Sequence, residues 1–297
     1  MYYIIYVPVF LLSLLPLRVL YVLSDVISFS IFRVFGYRRK VIATNLAIAF
    51  PEKTAKERNS IAKRFHRNFT DSFIETIKCF SVSKGFYERH CKGDFSLFDE
   101  LAKEDKSSQM HACHQFNWEW INLFWSINIK QPVAVVYMPI SNKPFDKLFY
   151  KLREKYGAIL FPATDIRRFF VAWRKKTHCL LLIADQKPAS AGSSYWLNFF
   201  NRPTPFVTGP EKNAVLKKCP VVFGRVVKTG RGKYTSIVSK ACDDASLLRP
   251  GELTVMYRDF IEFAIRDQPD LYLWSHKRFK FEWQDGYRHL WIDPKPI

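Results

Sequence analysis

His114 and Glu119 stand five positions apart in the stretch His114-Gln-Phe-Asn-Trp-Glu119, and these two residue types together can do acid–base chemistry. In one continuous helix that spacing would set the side chains about 140° apart. The flanking residues argue for another arrangement. Residues 109–113 are short and strand-like, and 118–127 are apolar enough for a buried helix. Asn117 suits the N-cap of that helix, which leaves His114 on a strand-to-helix loop and puts Glu119 in the first helical turn. The helix dipole favours an ionised carboxylate there. Accepting from one imidazole nitrogen, Glu119 would orient the ring and leave the other nitrogen free as a base. No serine occupies a nucleophile's position, so the expected nucleophile is a hydroxyl of the substrate. Two other readings attach to the same residues. Cys113 could serve as a thiol, although strand neighbours point to opposite faces and cysteine is commonly a small buried apolar residue. His111 and His114 could ligate a metal, but no convincing third or fourth ligand accompanies them. The expectation is no metal and no cofactor.

The elements that must position this pair alternate from about residue 105. Strand-like runs fall at 109–113, 132–138, 158–161, 178–184, 220–227 and 234–239, and helix-like runs at 117–127, 143–156, 165–176, 208–218 and 251–267. That alternation predicts an α/β domain with a mixed, largely parallel sheet flanked by helices. In such sheets sites lie beyond the carboxyl ends of the strands. His114 follows the first strand, Tyr137 closes the second, and Asp185 and Gln186 follow the fourth, so three polar strand ends can converge on one crevice.

The chain has 297 residues, 48% of them hydrophobic, enough for one large core. Its 46 Lys and Arg against 27 Asp and Glu give a net charge of +19, which implies an anionic partner. The six cysteines are scattered without a CxxC pair, as expected of reduced structural thiols on the cytosolic side. Residues 1–35 are predominantly apolar, but Arg18, Asp25, Pro8 and Pro16 interrupt them, and Arg33, Arg38, Arg39 and Lys40 follow. The expectation is a retained membrane anchor, either spanning with a kink or lying in the interface, with the rest of the chain cytoplasmic; the alternative is a hairpin buried in a soluble protein. Residues 41–53 read as a short helix ended before Pro51. Thr54 and Glu57 form a capping box for a second helix whose apolar stripe is Ile61, Phe65, Phe69, Phe73 and Ile77. The organisation expected is an anchor over 1–35, a membrane-proximal helical segment over 36–104 packed on the core, and a catalytic domain over 105–297.

With these residues in place the chain resembles the lipid A biosynthesis acyltransferase family, the late lauroyl- and myristoyl-type enzymes of the wider glycerolipid acyltransferase group. The resemblance rests on YRRKVIATNLAIAFPEK (37–53), the HX4E box at 114–119, VVYMPISNKPFDKL (135–148), ADQ (184–186), the segment 199–214 with TGPEKNA, and YLWSHKRFK (272–280). It implies transfer of an acyl chain from an acyl carrier protein thioester, or acyl-CoA, to a hydroxyl of a lipid acceptor, a lipid A precursor, at the cytoplasmic face of the inner membrane. His114 would be the general base and Glu119 its orienting partner. The family positions near the site make Arg153, Asp185 and Gln186 binding candidates beside Asn117 and Tyr137, with Asn117 near the oxyanion. The sequence departs from the family at Met138, where an Arg is common, and at Lys187, where an Asp is common. Those changes leave open a lysophospholipid or aminolipid acceptor. His276, Lys277 and Arg278 could lie near phosphates or form a structural aromatic-basic tail. A non-enzymatic basic protein binding anionic lipid or nucleic acid is the remaining alternative. The apolar N-terminus and the lack of a reading motif count against nucleic acid.

Overall fold

The computed structural model describes residues 2–173 and 176–295. Helices Tyr2–Leu14 (α1) and Leu17–Phe29 (α2) form an N-terminal pair, and a π-helical turn Ser30–Val34 extends the second. Arg39–Ala49 (α3), Ala55–Lys78 (α4) and Lys84–His90 (α5) follow, then strand Cys91–Gly93 (β1) and helix Ser96–Lys103 (α6). The alternating part runs Ser108–Ala112 (β2), Trp118–Asn128 (α7), Val133–Tyr137 (β3), Lys143–Arg153 (α8), Ile159–Pro162 (β4), Ile166–Ala172 (α9) and Cys179–Ile183 (β5). A hairpin Tyr195–Phe199 (β6) and Arg202–Phe206 (β7) precedes Gly209–Lys217 (α10), Val221–Gly230 (β8), Lys233–Cys242 (β9) and Glu252–Asp267 (α11). The last two positions of the helix expected over 165–176 that precede its end, 174 and 175, lie outside the described residues.

Seven strands form one sheet in the order β1-β9-β8-β2-β5-β3-β4. The β8–β2–β5–β3–β4 stretch is parallel throughout, while β9 runs antiparallel to β8 and β1 parallel to β9. The predicted α/β class, mostly parallel with a mixed edge, is what the fold shows. β1 and the separate β6–β7 hairpin were not among the predicted strands; the first is three residues long and the second carries two prolines.

Both faces of the central strands are covered, which is why they read as continuous apolar runs. Met110, Leu181 and Val222 pack toward α7 on one side, and Val221 and Phe223 toward α11 on the other. Gly224 admits this packing: a Cβ there would meet Cε of Met110 at 2.3 Å and the ring of Trp125 at 3.4 Å.

The α4 capping box forms as predicted, with Thr54 and Glu57 bonding reciprocally. The apolar stripe does not keep one face. Residues four apart advance about 40° per step around a 3.6-residue helix, so the row drifts. Ile61 and Phe65 are buried, but Phe73 is exposed, and the inward face of the second half of α4 is instead Asn68, Asp71, Ile74 and Glu75. These acids anchor the N-terminal pair. Ser24 Oγ donates to Asp71 at 2.7 Å, Tyr21 donates to Glu75 at 2.7 Å, and Arg231 from the β8–β9 turn reaches Asp71 and Asp25. No single helix among the described residues is long and apolar enough to cross a membrane; α1 and the continuous stretch 17–34 pass that test only as a pair bent by 117°.

Candidate active site

β2 and β5 pair in parallel with Ala112 opposite Ile183. Two residues further along both strands, in the same alignment, stand His114 and Asp185. Oδ1 of Asp185 lies 2.6 Å from Nδ1 of His114, and Oδ2 accepts the backbone N–H of His114 at 3.1 Å. One carboxylate therefore fixes both the ring and the main chain of the same residue. Tyr257 of α11 ties the two strand ends together just beneath: its hydroxyl donates to the carbonyl of Ala112 at 2.7 Å and accepts from the N–H of Ala184 at 3.2 Å. The His114 loop is clamped on its other side by the 271–273 segment, through Phe116 N–H to Leu271 O at 3.0 Å and Leu273 N–H to His114 O at 3.2 Å.

Asp185 is 1% exposed. Burial by itself would raise its pKa, but the His114 ring beside it and the N–H bonds it accepts hold it below the ordinary 3.8. An ionised Asp185 can only accept, so Nδ1 carries a proton, and it is Nε2 that can hold a lone pair toward a substrate.

The ring partner is thus Asp185, not the expected Glu119. Trp118 packs edge-on against His114, with ring centroids 5.7 Å apart. Glu119 is turned toward α8, where Nε of Arg153 donates to its two oxygens at 3.1 and 2.9 Å and Nη2 adds a further bond. Burial works against the charge on Arg153, yet the bond to Glu119 and its field leave the guanidinium pKa raised. The guanidinium also lies over the rings of Tyr137 at 5.9 Å and Phe149 at 5.5 Å. Asn117 caps α7 as predicted, accepting from Trp120 N–H at 3.3 Å, and its amide donates to Glu75 at 3.1 Å. With its amide committed to the cap and to Glu75, it does not line the cavity described next.

β3 and β5 pair only as far as Val135 and Leu181, after which they separate. A cavity of about 570 Å³ opens there. His114, Glu119, Tyr137, Arg153 and Gln186 all border it, together with Met138 and Lys187. Much of its remaining lining is apolar, including Trp118, Trp125, Val135, Leu181 and Ile183. The three strand ends do meet in one crevice, as expected from an open α/β sheet. Trp118 and Asn122 also line it without having been marked by any pattern in the sequence, because an apolar helix such as α7 gives no sign of which face borders a void.

The other readings of the residues near His114 do not fit this geometry. The Cys113 thiol is buried and pushed well above its ordinary pKa by burial and by the Asp185 charge, so it is not an available thiolate. His111 is buried against Gln109, and burial lowers its pKa to about 3. Among the described residues no group of three or more His, Cys, Asp or Glu could hold a metal ion. Arg278 is 1% exposed and lies over the rings of Phe206 at 4.3 Å and Phe199 at 5.3 Å. Its side chain is closed off from solvent, as the structural reading of this aromatic-basic segment expects. The main chain beside it is pinned to α3, since Asn45 donates to the carbonyls of Trp274 and His276 at 2.8 and 2.7 Å.

Two comparisons bear on this site. A family model described as bacterial lipid A biosynthesis acyltransferase matches residues 1–281, and so spans the N-terminal pair, the sheet and the cavity. No curated protein matches the chain.

Proposed function

The chain belongs to the bacterial lipid A biosynthesis acyltransferase family, and on that premise we propose that it moves a fatty acyl chain from an acyl carrier protein thioester to a hydroxyl of a lipid A precursor. The observation that carries the mechanism is the His114–Asp185 pair at the mouth of a largely apolar cavity. Asp185 holds Nδ1–H, and Nε2 of His114 takes the proton of the acceptor hydroxyl as its oxygen attacks the thioester carbon. The tetrahedral intermediate collapses with cleavage of the carbon–sulfur bond, and the thiolate leaves with the proton returned from His114. Lys187 borders the cavity and brings positive charge to the developing oxyanion, while Arg153, its charge balanced by Glu119, offers its remaining N–H groups as donors. Glu119 serves this scheme through Arg153, which it holds in place.

The reading extends to where the enzyme works. α1 packs against α8, which carries Arg153, and Lys147 of α8 lies over the Tyr2 ring at 5.1 Å. Ile4, Val7, Leu11, Val22, Val26 and Phe29 are exposed on the bent pair. That apolar surface lies in the inner membrane, beside the cavity, with the catalytic domain on the cytoplasmic face. The +19 net charge suits both anionic headgroups and an acidic carrier protein.

The test is mass spectrometry of total lipids from cells lacking the gene beside cells carrying only His114→Ala. Loss of the same acyl chain from lipid A in both is the expected result. An unaltered lipid A with a missing phospholipid or aminolipid would move the acceptor to another lipid, and rescue by His114→Ala would remove the base from the mechanism.

A further inference from the structure

Arg33, Arg39, Arg58 and Lys63 border one cavity of about 450 Å³, lined by the π-helical turn after α2 and by helices α3 and α4. Among the described residues no Asp or Glu borders it. Arg58 spends Nη1 on the carbonyls of Phe50, at 3.1 Å, and Lys53. The side chains of Arg33, Arg39 and Lys63 are exposed, and none of them forms an ion pair or hydrogen bond with a described residue. Other cations of α4 are treated differently: Arg64 is paired with Asp270 at 3.6 Å and Arg67 with Asp25 at 3.2 Å. Like charges gathered without a counter-charge repel one another, and an anion between them relieves that repulsion. Their field reaches the cavity lining. His66 borders the same cavity, and the charges of Arg39 and Arg33 add to burial in lowering its pKa.

The lining is also apolar in part, from Phe32, Ile42 and Leu46. Phe32 and Arg33 share their π-helical turn with Val34, which is 65% exposed, and Phe35, directly after it, is 80% exposed. The exposed apolar surface of the N-terminal pair therefore comes within one residue of the cationic cavity along the chain. A small inorganic anion would answer the charge and leave this apolar surface uncovered. A phosphate carrying hydrocarbon chains answers both.

We infer that this cavity is a binding site for the phosphate of an anionic bilayer phospholipid, separate from the catalytic cavity, with which it shares no lining residue. Guanidinium groups meet phosphate oxygens through paired N–H bonds, and the Lys63 ammonium adds a point charge. The inference rests on the reading that the N-terminal pair lies in the membrane. An acidic protein surface would also answer the charge; the apolar lining beside exposed Val34 and Phe35 favours a lipid.

The experiment uses the full chain in detergent and three probes followed by titration calorimetry. Dihexanoylphosphatidylglycerol has charge and chains, dihexanoylphosphatidylcholine has chains without net charge, and inorganic phosphate has charge alone. The wild type is compared with Arg33→Gln/Arg39→Gln/Lys63→Gln and with Lys103→Gln/Lys212→Gln/Lys233→Gln, which removes the same charge at exposed positions outside both cavities. The wild type is expected to bind the phosphatidylglycerol at least about tenfold more tightly than either other probe. The cavity variant should lose about tenfold to a hundredfold of that affinity and the control variant far less. Arg39→Gln alone, with a smaller loss in the same direction, serves if the triple variant does not fold. Equal binding of the phosphatidylcholine, equal losses in the two triple variants, or phosphate bound as tightly as the phosphatidylglycerol each overturns the inference. So does a cavity variant that loses binding of acyl carrier protein while keeping the phosphatidylglycerol. Flotation on phosphatidylcholine vesicles reports the membrane reading separately. A wild type that fails to float there, yet binds the probes as expected, would uphold the phosphate site and count against the membrane position.

Discussion

Asp185 holds His114 at two points, the ring nitrogen at 2.6 Å and the backbone N–H at 3.1 Å, because both residues continue the parallel alignment of β2 and β5 beyond its last paired position. The carboxylate therefore sets the tautomer of the ring and its position together. Asp185→Asn keeps the shape but removes the charge that demands a proton on Nδ1. It is expected to lower kcat by about 10²–10⁴-fold with a much smaller change in KM, close to the loss from His114→Ala. Acyl-transfer rates measured on the two variants and on Glu119→Gln check this. Were Glu119→Gln to match His114→Ala while Asp185→Asn stayed near wild type, Glu119 would be the ring's partner during turnover.

Glu119 and Arg153 form a buried pair, with side chains 7% and 18% exposed. Removing one member leaves the other charged without compensation. Glu119→Gln or Arg153→Met alone should each destabilise the fold by about 3–5 kcal/mol, and the double variant by clearly less than the sum. Denaturant unfolding of the four proteins provides the cycle. Additive losses would show that the two side chains do not depend on each other.

The proposed membrane attachment rests on exposed apolar residues of the N-terminal pair, Val22 and Val26 of α2 among them, and charges placed there should abolish it. Val22→Glu combined with Val26→Glu should release the protein from lipid vesicles into the supernatant, whereas high salt alone should leave the wild type bound. Vesicle flotation separates the two. Salt release of the wild type would assign attachment to charge instead of the apolar pair.

Acid should weaken the fold before the carboxylates titrate. His66 stacks on Phe32 with ring centroids 3.9 Å apart, and burial, reinforced by Arg39 and Arg33, lowers its pKa from 6.5 to about 4. Burial likewise lowers His276 to about 4. A depressed folded pKa means that the unfolded chain takes up the proton first. The associated stability is complete above pH 6.5 and is lost as the pH falls toward about 4. The depressed Asp185 adds a loss at lower pH, below its ordinary 3.8. Unfolding free energies measured across this window should fall steadily, and His66→Phe, which keeps the stack, should flatten the upper part of the slope. A flat profile from pH 6.5 to 4 would contradict this account of His66.

Several features were legible from local order along the chain. Alternating strand and helix runs announced the α/β sheet, Asn117 and the Thr54–Glu57 box announced two helix starts, and the polar residues after the strands marked one crevice edge. These depend on neighbours within a few positions and on the known periods of helix and strand, so the residues themselves suffice. The resemblance in the motifs named the chemistry. What the tertiary structure decided is partnership. Glu119 is close to His114 in sequence, yet Asp185, 71 residues away, is its partner, because adjacent parallel strands bring their ends together whatever the length of chain between them. The same holds for Arg153 on Glu119, for the polar inner face of α4 that binds the N-terminal pair, and for Asn122. Its place on a cavity wall exists only where β3 and β5 part, and no local pattern in the chain records where two strands separate.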